Sequence, residues 1–350
     1  MKDYNVCFLG FGNVGKALAR LLASKSSELK ELFGIQCRIT GVATRRLGWL
    51  SRETGFDSGE LTSPSLQLGN VERLNSVTEW LNASRPDVVF ETTSLNHETG
   101  QPAIDYLRAA LTAGAHAITA NKGAVVYGYE ELSFLAKDAG KSFLFESTVA
   151  DSAPVFSLFR ETLPAVNLRG FSAALSSTCN IVIETMEAGR TFAEGVKTAQ
   201  ELGVTETDPS HDIDGWDSTV KVCALSRVLM DSALYPAQVR REGIRELTSP
   251  VVQKARAEGK PYKLLARVQR GPGGSVNATV RPEQIGITEP LGIVRGTSLA
   301  IHFELDVMPG LTIMSHRPNL SSTAYGLLAD FINAARRGNN VATLKEDSDL

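Results

Sequence analysis

The segment Asn5-Val-Cys-Phe-Leu-Gly-Phe-Gly-Asn-Val-Gly-Lys-Ala-Leu-Ala-Arg-Leu-Leu-Ala23 decides the fold of the N-terminal half of the chain. An apolar run is followed by three glycines in the spacing G-x-G-x-x-G and then by an amphipathic helical pattern. A strand, a glycine turn and a helix in this order indicate a dinucleotide-binding βαβ unit, and a glycine turn used only for packing is the alternative. Glycines let the backbone approach a pyrophosphate, whose charge the helix N-terminus favours. The predicted cofactor-binding residues here are Gly10, Gly12, Asn13, Val14 and Gly15.

Strand and helix patterns continue to alternate up to residue 146. The further predicted strands are Cys37–Thr44, Pro86–Phe90, His116–Thr119 and Ser142–Glu146, and the predicted helices are Gln101–Thr112 and Glu130–Ala139. Such alternation is typical of an α/β fold with a Rossmann-type, doubly wound parallel sheet. We place this domain at residues 1–146 plus about 311–340, where a helix over Thr323–Ala335 returns to it.

The pattern changes after residue 146. Four strands and two amphipathic helices are predicted there, at Phe171–Leu175, Tyr262–Gln269, Ser275–Val280, Leu299–Leu305, Thr191–Leu202 and Asp217–Met230. The strands are those expected of a second sheet, and together with the helices they favour an α+β domain, which we place at residues 147–310. Residues 341–350 are polar and are expected to form a flexible tail.

Composition excludes several classes of protein. Hydrophobic residues make up 43% and charged residues 21%, which is ordinary for a globular protein. A net charge of −3 gives no electrostatic basis for binding nucleic acid or an anionic membrane. Apolar runs are shorter than the roughly 20 residues that a bilayer span needs, and no cleavable signal is visible. The four cysteines have neither metal-ligand nor disulfide-framework spacing. We expect a reduced, cytoplasmic protein with a small-molecule partner and no structural metal.

The end of the second predicted strand bears on the choice of cofactor. NAD-binding domains usually carry an acidic residue there, on the ribose hydroxyls. This chain has Ala43-Thr44-Arg45-Arg46 instead. Guanidinium groups suit a 2′-phosphate, since they pair with its oxygens in bidentate fashion. We predict that Thr44, Arg45 and Arg46 bind NADP(H) in preference to NAD(H), with solvated loop arginines as the alternative.

The segment Glu206-Thr-Asp-Pro-Ser-His-Asp-Ile-Asp-Gly-Trp-Asp-Ser-Thr-Val-Lys221 contains five acids before one lysine. On a helix, the spacing of Asp217 and Lys221 puts both side chains on one face, within reach of an ion pair. Carboxylates near a lysine can hold an amino group and move a proton. A solvated acidic loop with an ordinary surface salt bridge is the other interpretation.

Three further motifs follow predicted strands: Thr119-Ala-Asn-Lys122-Gly123, Phe145-Glu-Ser-Thr-Val-Ala-Asp-Ser-Ala-Pro154 and Ser177-Thr-Cys-Asn180. With the glycine fingerprint and the acidic segment, in this order, the chain resembles homoserine dehydrogenases over nearly its whole length. The resemblance implies a Rossmann domain, a second domain that binds an amino-acid substrate and forms a homodimer, and a short form without a C-terminal regulatory domain. It also implies NAD(P)H-dependent, reversible reduction of L-aspartate 4-semialdehyde to L-homoserine, in threonine and methionine biosynthesis.

The same resemblance implies roles for individual residues. Lys221 matches the catalytic lysine, the proton donor, with Lys122 and Asp217 also in the catalytic set and Lys122 near cofactor and substrate. The substrate-binding set is Glu206, Asp212, Asp217, Thr178 and Asn180. Thr92, or Thr93 in the alternative register, closes over the cofactor. Many members of that family bind a monovalent cation, typically sodium. The positions that bind it match Glu146, Val149, Asp151 and Ala153.

The chain departs from the family pattern in the segment 315–323, Ser-His-Arg-Pro-Asn-Leu-Ser-Ser-Thr, which lacks the family's glycines. Bulkier residues hinder close approach of the backbone to a cofactor. Two alternatives therefore stay open: a dehydrogenase of a related hydroxy-amino acid or semialdehyde, and a non-catalytic NADP(H)-binding sensor. A third is a nucleophilic Cys179 that attacks an aldehyde, although a small buried cysteine is the commoner case.

Overall fold

The computed structural model describes residues 1–63, 71–205 and 207–346, with side chains described up to residue 337. The chain divides into two compact units. Unit 1 comprises Met1–Ser152 and Leu320–Leu350, and unit 2 comprises Ala153–Asn319. The sequence placed these divisions at 146/147 and about 310/311. The second division lies later because Leu311–Ser315 pairs with Leu299–Leu305, a strand of unit 2.

Strands and helices occur throughout both units. The strands are β1 (Lys2–Leu9), β2 (Ile35–Thr44), β3 (Gly48–Phe56), β4 (Glu72–Leu74), β5 (Val88–Glu91), β6 (His116–Thr119), β7 (Phe143–Leu144), β8 (Leu168–Ala174), β9 (Arg240–Arg241), β10 (Tyr262–Arg270), β11 (Val276–Gln284), β12 (Leu299–Leu305) and β13 (Leu311–Ser315). The helices are α1 (Asn13–Ser24), α2 (Ser26–Phe33), α3 (Ser58–Thr62), α4 (Val77–Ser84), α5 (Ala103–Thr112), α6 (Lys122–Asp138), α7 (Val155–Ser157), α8 (Ser177–Glu187), α9 (Phe192–Glu201), α10 (Ser210–Ile213), α11 (Trp216–Leu229), α12 (Ser249–Ala257) and α13 (Leu320–Glu346). Short 3₁₀ turns lie at Glu146–Thr148, Pro236–Gln238 and Pro272–Gly274, and a π turn lies at Leu158–Thr162.

The sheet of unit 1 has the strand order β4-β3-β2-β1-β5-β6-β7. The five strands β2, β1, β5, β6 and β7 are parallel, which confirms the predicted Rossmann-type, doubly wound arrangement. β3 and β4 extend it as antiparallel strands that the sequence did not predict. β1 lies between β2 and β5, so the strand order reverses at β1. In open α/β sheets, ligands bind beyond the carboxyl ends of the strands at such a reversal.

The core of unit 1 depends on a helix from the C-terminal part of the chain. Phe331 of α13 packs edge-on against Tyr4 of β1 and Phe90 of β5, with ring centroids 5.4 and 6.0 Å apart. All three side chains are almost completely buried. The sequence predicted the return of this helix to unit 1. It begins at Leu320 and continues to Glu346, beyond the predicted end at Ala335.

Unit 2 is built on a sheet with the order β13-β12-β8-β10-β11-β9. Its strands pair antiparallel, apart from the short parallel pairing of β9 with β11. α8 and α11 contact the central strand β10. The predicted α+β character is confirmed, and this unit carries Asp212 on α10 and both Asp217 and Lys221 on α11. Within the described ranges, no helix is both long and apolar enough to cross a membrane.

Candidate active site

The glycine turn after β1 is in direct contact with the loop after β5. Gly10 has a φ of +83°, and a Cβ there would lie 2.6 Å from the carbonyl carbon of Thr92. The Thr92 hydroxyl donates a hydrogen bond of 2.9 Å to the carbonyl oxygen of Gly10. Both the backbone conformation and the close contact require glycine at this position.

The first turn of α1 is suited to a pyrophosphate. Asn13, Val14 and Gly15 open the helix, and Gly12 precedes it without any described side chain that caps the free N–H groups. A Cβ built on Gly12 would meet no heavy atom of the described residues within 4 Å. Space beside unsatisfied N–H groups at a helix N-terminus is what an anionic phosphate needs.

A cavity of about 850 Å³ in unit 1 adjoins this turn. Its lining includes most of the predicted cofactor residues: Gly10, Gly12, Thr44, Arg45, Arg46, Thr92 and Thr93. The guanidinium of Arg45 also donates to the Ser94 hydroxyl, at 3.3 Å. The size of this cavity and its glycine lining fit a dinucleotide. The remaining predicted residue, Lys122, is half-buried at the start of α6.

In unit 2, α11 presents the lysine and carboxylate that the sequence singled out. The Lys221 Nζ atom lies 2.8 Å from the Asp217 carboxylate and donates to the carbonyl oxygen of Leu175, also at 2.8 Å. Their side chains are only 13% and 21% exposed, respectively. A surface salt bridge is therefore the wrong interpretation of this pair, because Asp217 of α11 and the connection from β8 to α8 hold the ammonium in a partly buried position.

A second contact joins the start of α8 to the acidic segment. The Thr178 hydroxyl donates a 2.7 Å hydrogen bond to the carboxylate of Asp212. Burial raises the pKa of Asp212, the negative charge of Asp217 raises it further, and the Thr178 hydrogen bond opposes both. Ser176 caps α8 just before Thr178, accepting from the N–H of Cys179 at 3.1 Å. Thr178, Asp212, Asp217 and Lys221 thus form one cluster.

Cys179 and Asn180 face inward. Cys179 is 0% exposed, and burial raises the pKa of its thiol to about 12. Its S–H donates to the carbonyl oxygen of Asp212 at 3.2 Å, so the site does not activate it as a nucleophile. Asn180 is also buried, and its amide donates to the carbonyl oxygen of Ser298 at 3.1 Å. The Ser298 hydroxyl in turn accepts from the N–H of Arg317, within the segment 315–323.

The remaining predicted residues differ in how far the structure describes them. Glu206 lies outside the described residues. Glu146 and Val149 are buried in unit 1, and Ala153 is the first residue of unit 2. Asp151 has a φ of +56°, and its carboxylate accepts a 2.6 Å hydrogen bond from the Thr323 hydroxyl. Among the described residues no group of three or more His, Cys, Asp or Glu side chains is placed to hold a metal.

The sequence analysis did not predict two groups that hold residues of the candidate site in place. The carbonyl oxygen of Leu175, which orients Lys221, is a backbone atom and leaves no signal in the sequence. Glu91 at the end of β5 is 0% exposed and accepts hydrogen bonds from the cofactor-side loop. A charged residue directly after Val88-Val89-Phe90 was the available signal.

A dinucleotide cavity in one unit and a lysine–carboxylate cluster in the other define an NAD(P)-dependent oxidoreductase. The family model described as homoserine dehydrogenase matches residues 154–332, and that for the homoserine dehydrogenase NAD-binding domain matches residues 10–146. The chain belongs to the homoserine dehydrogenase family, whose members act on a CH–OH group.

Individual relatives are similar over nearly the whole chain. The NAD(+)-dependent homoserine dehydrogenase of Pseudomonas canavaninivorans is 32% identical over 95% of this chain and 96% of its own length. The crystal structure of a homoserine dehydrogenase from Thiobacillus denitrificans superposes with a TM-score of 0.82 at 26% identity, over 97% of this chain and 75% of that one. A hyperthermophilic archaeal homoserine dehydrogenase in complex with NADPH gives 0.79 at 27% identity, over 96% and 98%.

Proposed function

We propose that the protein interconverts L-aspartate 4-semialdehyde and L-homoserine with NAD(P)H, in the route to threonine and methionine, and that Lys221 is the proton donor and acceptor. The observation that carries this proposal is the partly buried Lys221 ammonium, held by Asp217 and by the carbonyl oxygen of Leu175. A fixed ammonium close to carboxylates provides an acid for the substrate oxygen and anions for the substrate amino group.

In the proposed reaction, Lys221 donates a proton to the aldehyde oxygen as negative charge develops on it. In the reverse direction the lysine takes the proton from the hydroxyl of homoserine. The bound nicotinamide would supply the hydride for reduction and accept it for oxidation. General acid catalysis by a positioned side chain typically contributes about 10²–10⁴-fold to the rate. Lys122, at the start of α6, adds positive charge at the nicotinamide end of unit 1.

The substrate amino group is proposed to bind the acids of unit 2. Asp212 and Asp217 belong to the cluster around Lys221, and Glu206 precedes them in the sequence. Thr178 orients Asp212 through its 2.7 Å hydrogen bond, and Asn180 holds the adjoining backbone through Ser298. An ammonium between carboxylates gains charge-assisted hydrogen bonds that a neutral hydroxy-acid lacks.

NADP(H) is the proposed preferred cofactor. Arg45 and Arg46 line the cavity at the end of β2, where the adenosine ribose of a dinucleotide binds in Rossmann domains. The hyperthermophilic archaeal neighbour was solved with NADPH, whereas the Pseudomonas relative is named as NAD(+)-dependent. The arginines therefore carry this part of the proposal. Michaelis constants for NADPH and NADH test it, and a clear preference for NADH would contradict it.

Two accessory features complete the proposal. A sodium ion would bind the carboxylate of Glu146 with carbonyl oxygens from Val149, Asp151 and Ala153, since hard cations prefer oxygen ligands. Turnover in sodium chloride should then exceed turnover in tetramethylammonium chloride at equal ionic strength. Unit 2 is proposed to form a homodimer, so light scattering should give twice the chain mass of 37.7 kDa.

Spectrophotometric oxidation of homoserine at alkaline pH tests the main proposal. Wild-type protein should reduce NADP⁺ steadily, and Lys221→Ala should lose nearly all turnover while it still binds NADPH. Comparison with related hydroxy-amino acids tests the substrate. Tight NADPH binding without turnover of any of these substrates would support a sensor instead, for which the altered segment 315–323 is the supporting observation.

A further inference from the structure

Glu91 is a buried carboxylate at the carboxyl end of β5. Its side chain is 0% exposed, and Glu91 lies opposite Thr119 in the parallel pairing of β5 with β6. One carboxylate oxygen accepts from the N–H of Thr93 at 2.7 Å and also from the Thr93 hydroxyl. The other oxygen accepts from the Thr119 hydroxyl at 2.6 Å. One side chain therefore ties together the loops that follow two neighbouring strands.

The network continues to the start of α6. The Thr119 hydroxyl oxygen accepts from the N–H of Asn121 at 2.8 Å. The Asn121 side chain caps α6, accepting from the N–H of Gly123 at 3.0 Å. Hydrogen bonds thus run without interruption from Thr93, which lines the cavity, to the turn that carries Lys122.

Sheet topology indicates which end of the cofactor this network serves. β2 and β5 flank β1 on opposite sides, and β6 lies beyond β5. A dinucleotide lies across the carboxyl ends of the strands with its pyrophosphate at the β1 turn. Arg45 and Arg46 directly follow β2 and take the adenosine side. The loops after β5 and β6 therefore take the nicotinamide side, and the Glu91 carboxylate lies beneath them.

Burial of this carboxylate works against folding. Desolvation raises the pKa of Glu91, and hydrogen bonds from Thr119 and Thr93 oppose that rise. An apolar residue would suit the end of a buried strand better, because burying a charge is costly even when it is hydrogen-bonded. Packing alone therefore does not explain a glutamate at this position. The three short hydrogen bonds that Glu91 accepts suggest that it holds the neighbouring loops.

We propose that Glu91 is a positioning residue that holds the Thr92–Ser94 loop and the Asn121–Lys122 turn in the arrangement that receives the nicotinamide. This inference rests on the cofactor part of the proposed function and is independent of the substrate. Without the carboxylate, the Thr93 N–H and the Thr119 hydroxyl lose their common acceptor, and the two loops are no longer held together.

Ligand titration by calorimetry tests the proposal without turnover. Each reduced cofactor is compared with its fragment that lacks nicotinamide: NADPH with 2′-phospho-ADP-ribose, and NADH with ADP-ribose. Glu91→Ala should bind the better cofactor about tenfold more weakly and the matching fragment unchanged, since one lost positioning bond corresponds to about one decade in Kd. Glu91→Gln keeps the shape and an acceptor for Thr93, and should stay within about threefold of wild type.

Thr40→Val is the matched control. Thr40 is also buried in the unit 1 sheet, and its hydroxyl donates to the carbonyl oxygen of Ser84 at 2.8 Å, away from the cavity lining. The Thr40→Val substitution should lower the melting temperature without changing the Kd of the cofactor or the Kd of the fragment. If Glu91→Ala does not fold, Thr119→Val breaks the same link without removing a charge and should give the same selective loss.

Three results would overturn the inference. One is equal weakening of the cofactor and the fragment, and another is wild-type affinity for both in Glu91→Ala or Thr119→Val. The third is a Glu91→Gln variant that binds the cofactor as weakly as Glu91→Ala does. That result would mean that the negative charge of Glu91, and not its positioning of the loops, matters for cofactor binding. A protein that fails to oxidise homoserine leaves all these comparisons intact.

Discussion

Asp217 and Lys221, one helical turn apart on α11, form an ion pair of 2.8 Å whose lysine also reaches the carbonyl oxygen of Leu175. Leu175 directly precedes the capping residue of α8. The ammonium is therefore held between α11 and the connection from β8 to α8 in unit 2. Such double anchorage limits the positions that the ammonium can take, and proton transfer to a substrate oxygen, as proposed for Lys221, depends on a positioned acid.

Asp217→Asn should therefore reduce turnover through Lys221. We expect kcat to fall on the order of a hundredfold, since a misplaced acid loses its alignment with the substrate oxygen. NADPH affinity, measured by fluorescence titration, should not change. Glu201→Gln provides the control, because Glu201 forms an exposed pair with Lys197 at the same spacing, 3.8 Å apart. Equal kcat values for the two variants would contradict the assigned function of Asp217.

Homoserine binding should weaken as the pH is lowered, and this weakening should begin at a higher pH than it would for an aspartate with an ordinary pKa. Burial and Asp217 raise the pKa of Asp212, and only the ionised carboxylate attracts the substrate ammonium. KM for homoserine should therefore rise as the pH falls through the raised pKa. Thr178→Val removes a hydrogen bond that lowers this pKa, so the rise should begin at still higher pH.

Thr185→Val serves as the control for that pH profile. The Thr185 hydroxyl lies on the same helix, α8, but donates to the backbone oxygen of Ile181. Its KM profile should follow wild type. Identical profiles for the Thr178 and Thr185 variants would show that Asp212 does not bind the amino group.

Arg45→Ala and Arg46→Ala should change cofactor selectivity. Each arginine lost from a 2′-phosphate should raise KM for NADPH by about tenfold, because charge-assisted hydrogen bonds contribute about 1.5–3 kcal/mol. KM for NADH should stay nearly constant. Arg38→Ala is the matched control, because Arg38 lies on β2, the strand that Arg45 and Arg46 follow, but donates to Asn5. Parallel increases for both cofactors would mean that the arginines contact the pyrophosphate or adenine instead.

Removal of the Cys179 thiol should leave catalysis almost intact. With its pKa raised to about 12, little thiolate exists at neutral pH. Steady-state kinetics of Cys179→Ala should give kcat within about threefold of wild type, as expected for a packing change alone. Cys223→Ala, which removes another fully buried thiol, gives the comparison. A selective collapse in Cys179→Ala would revive a thiohemiacetal mechanism.

Much of unit 1 follows from local pattern. Apolar runs and the glycine spacing predicted β1, β2, β5 and β6, because strands buried on both faces are nearly continuous in apolar residues. β3 escaped prediction because its buried and exposed positions do not alternate regularly and because it carries Arg52 and Glu53. Its pairing with β2 stabilises it more than its own composition does.

Helix α6 shows a second limit. The sequence predicted Glu130–Ala139, whereas the helix begins at Lys122. Gly123, Gly128 and the β-branched pair Val125-Val126 have low helix propensity. Burial of this first half and the Asn121 cap outweigh that propensity, as tertiary packing commonly does.

For the candidate site, spacing alone predicted the contact between Asp217 and Lys221, and the glycine fingerprint predicted the turn beside the cavity. Neither could reveal Glu91 or the carbonyl oxygen of Leu175. Those contacts depend on which strand lies beside which, and a single sequence carries no record of strand order.

Phe331 and its neighbours on α13 complete the core of unit 1, although 167 residues of unit 2 separate that helix from Ser152. During synthesis on the ribosome, Tyr4 and Phe90 therefore cannot pack against Phe331 until nearly the whole of this sequence has emerged. We expect the core of unit 1 to stay incomplete through that interval, with apolar surface exposed of the kind that chaperones bind. Unit 2, by contrast, is continuous and can fold while translation proceeds.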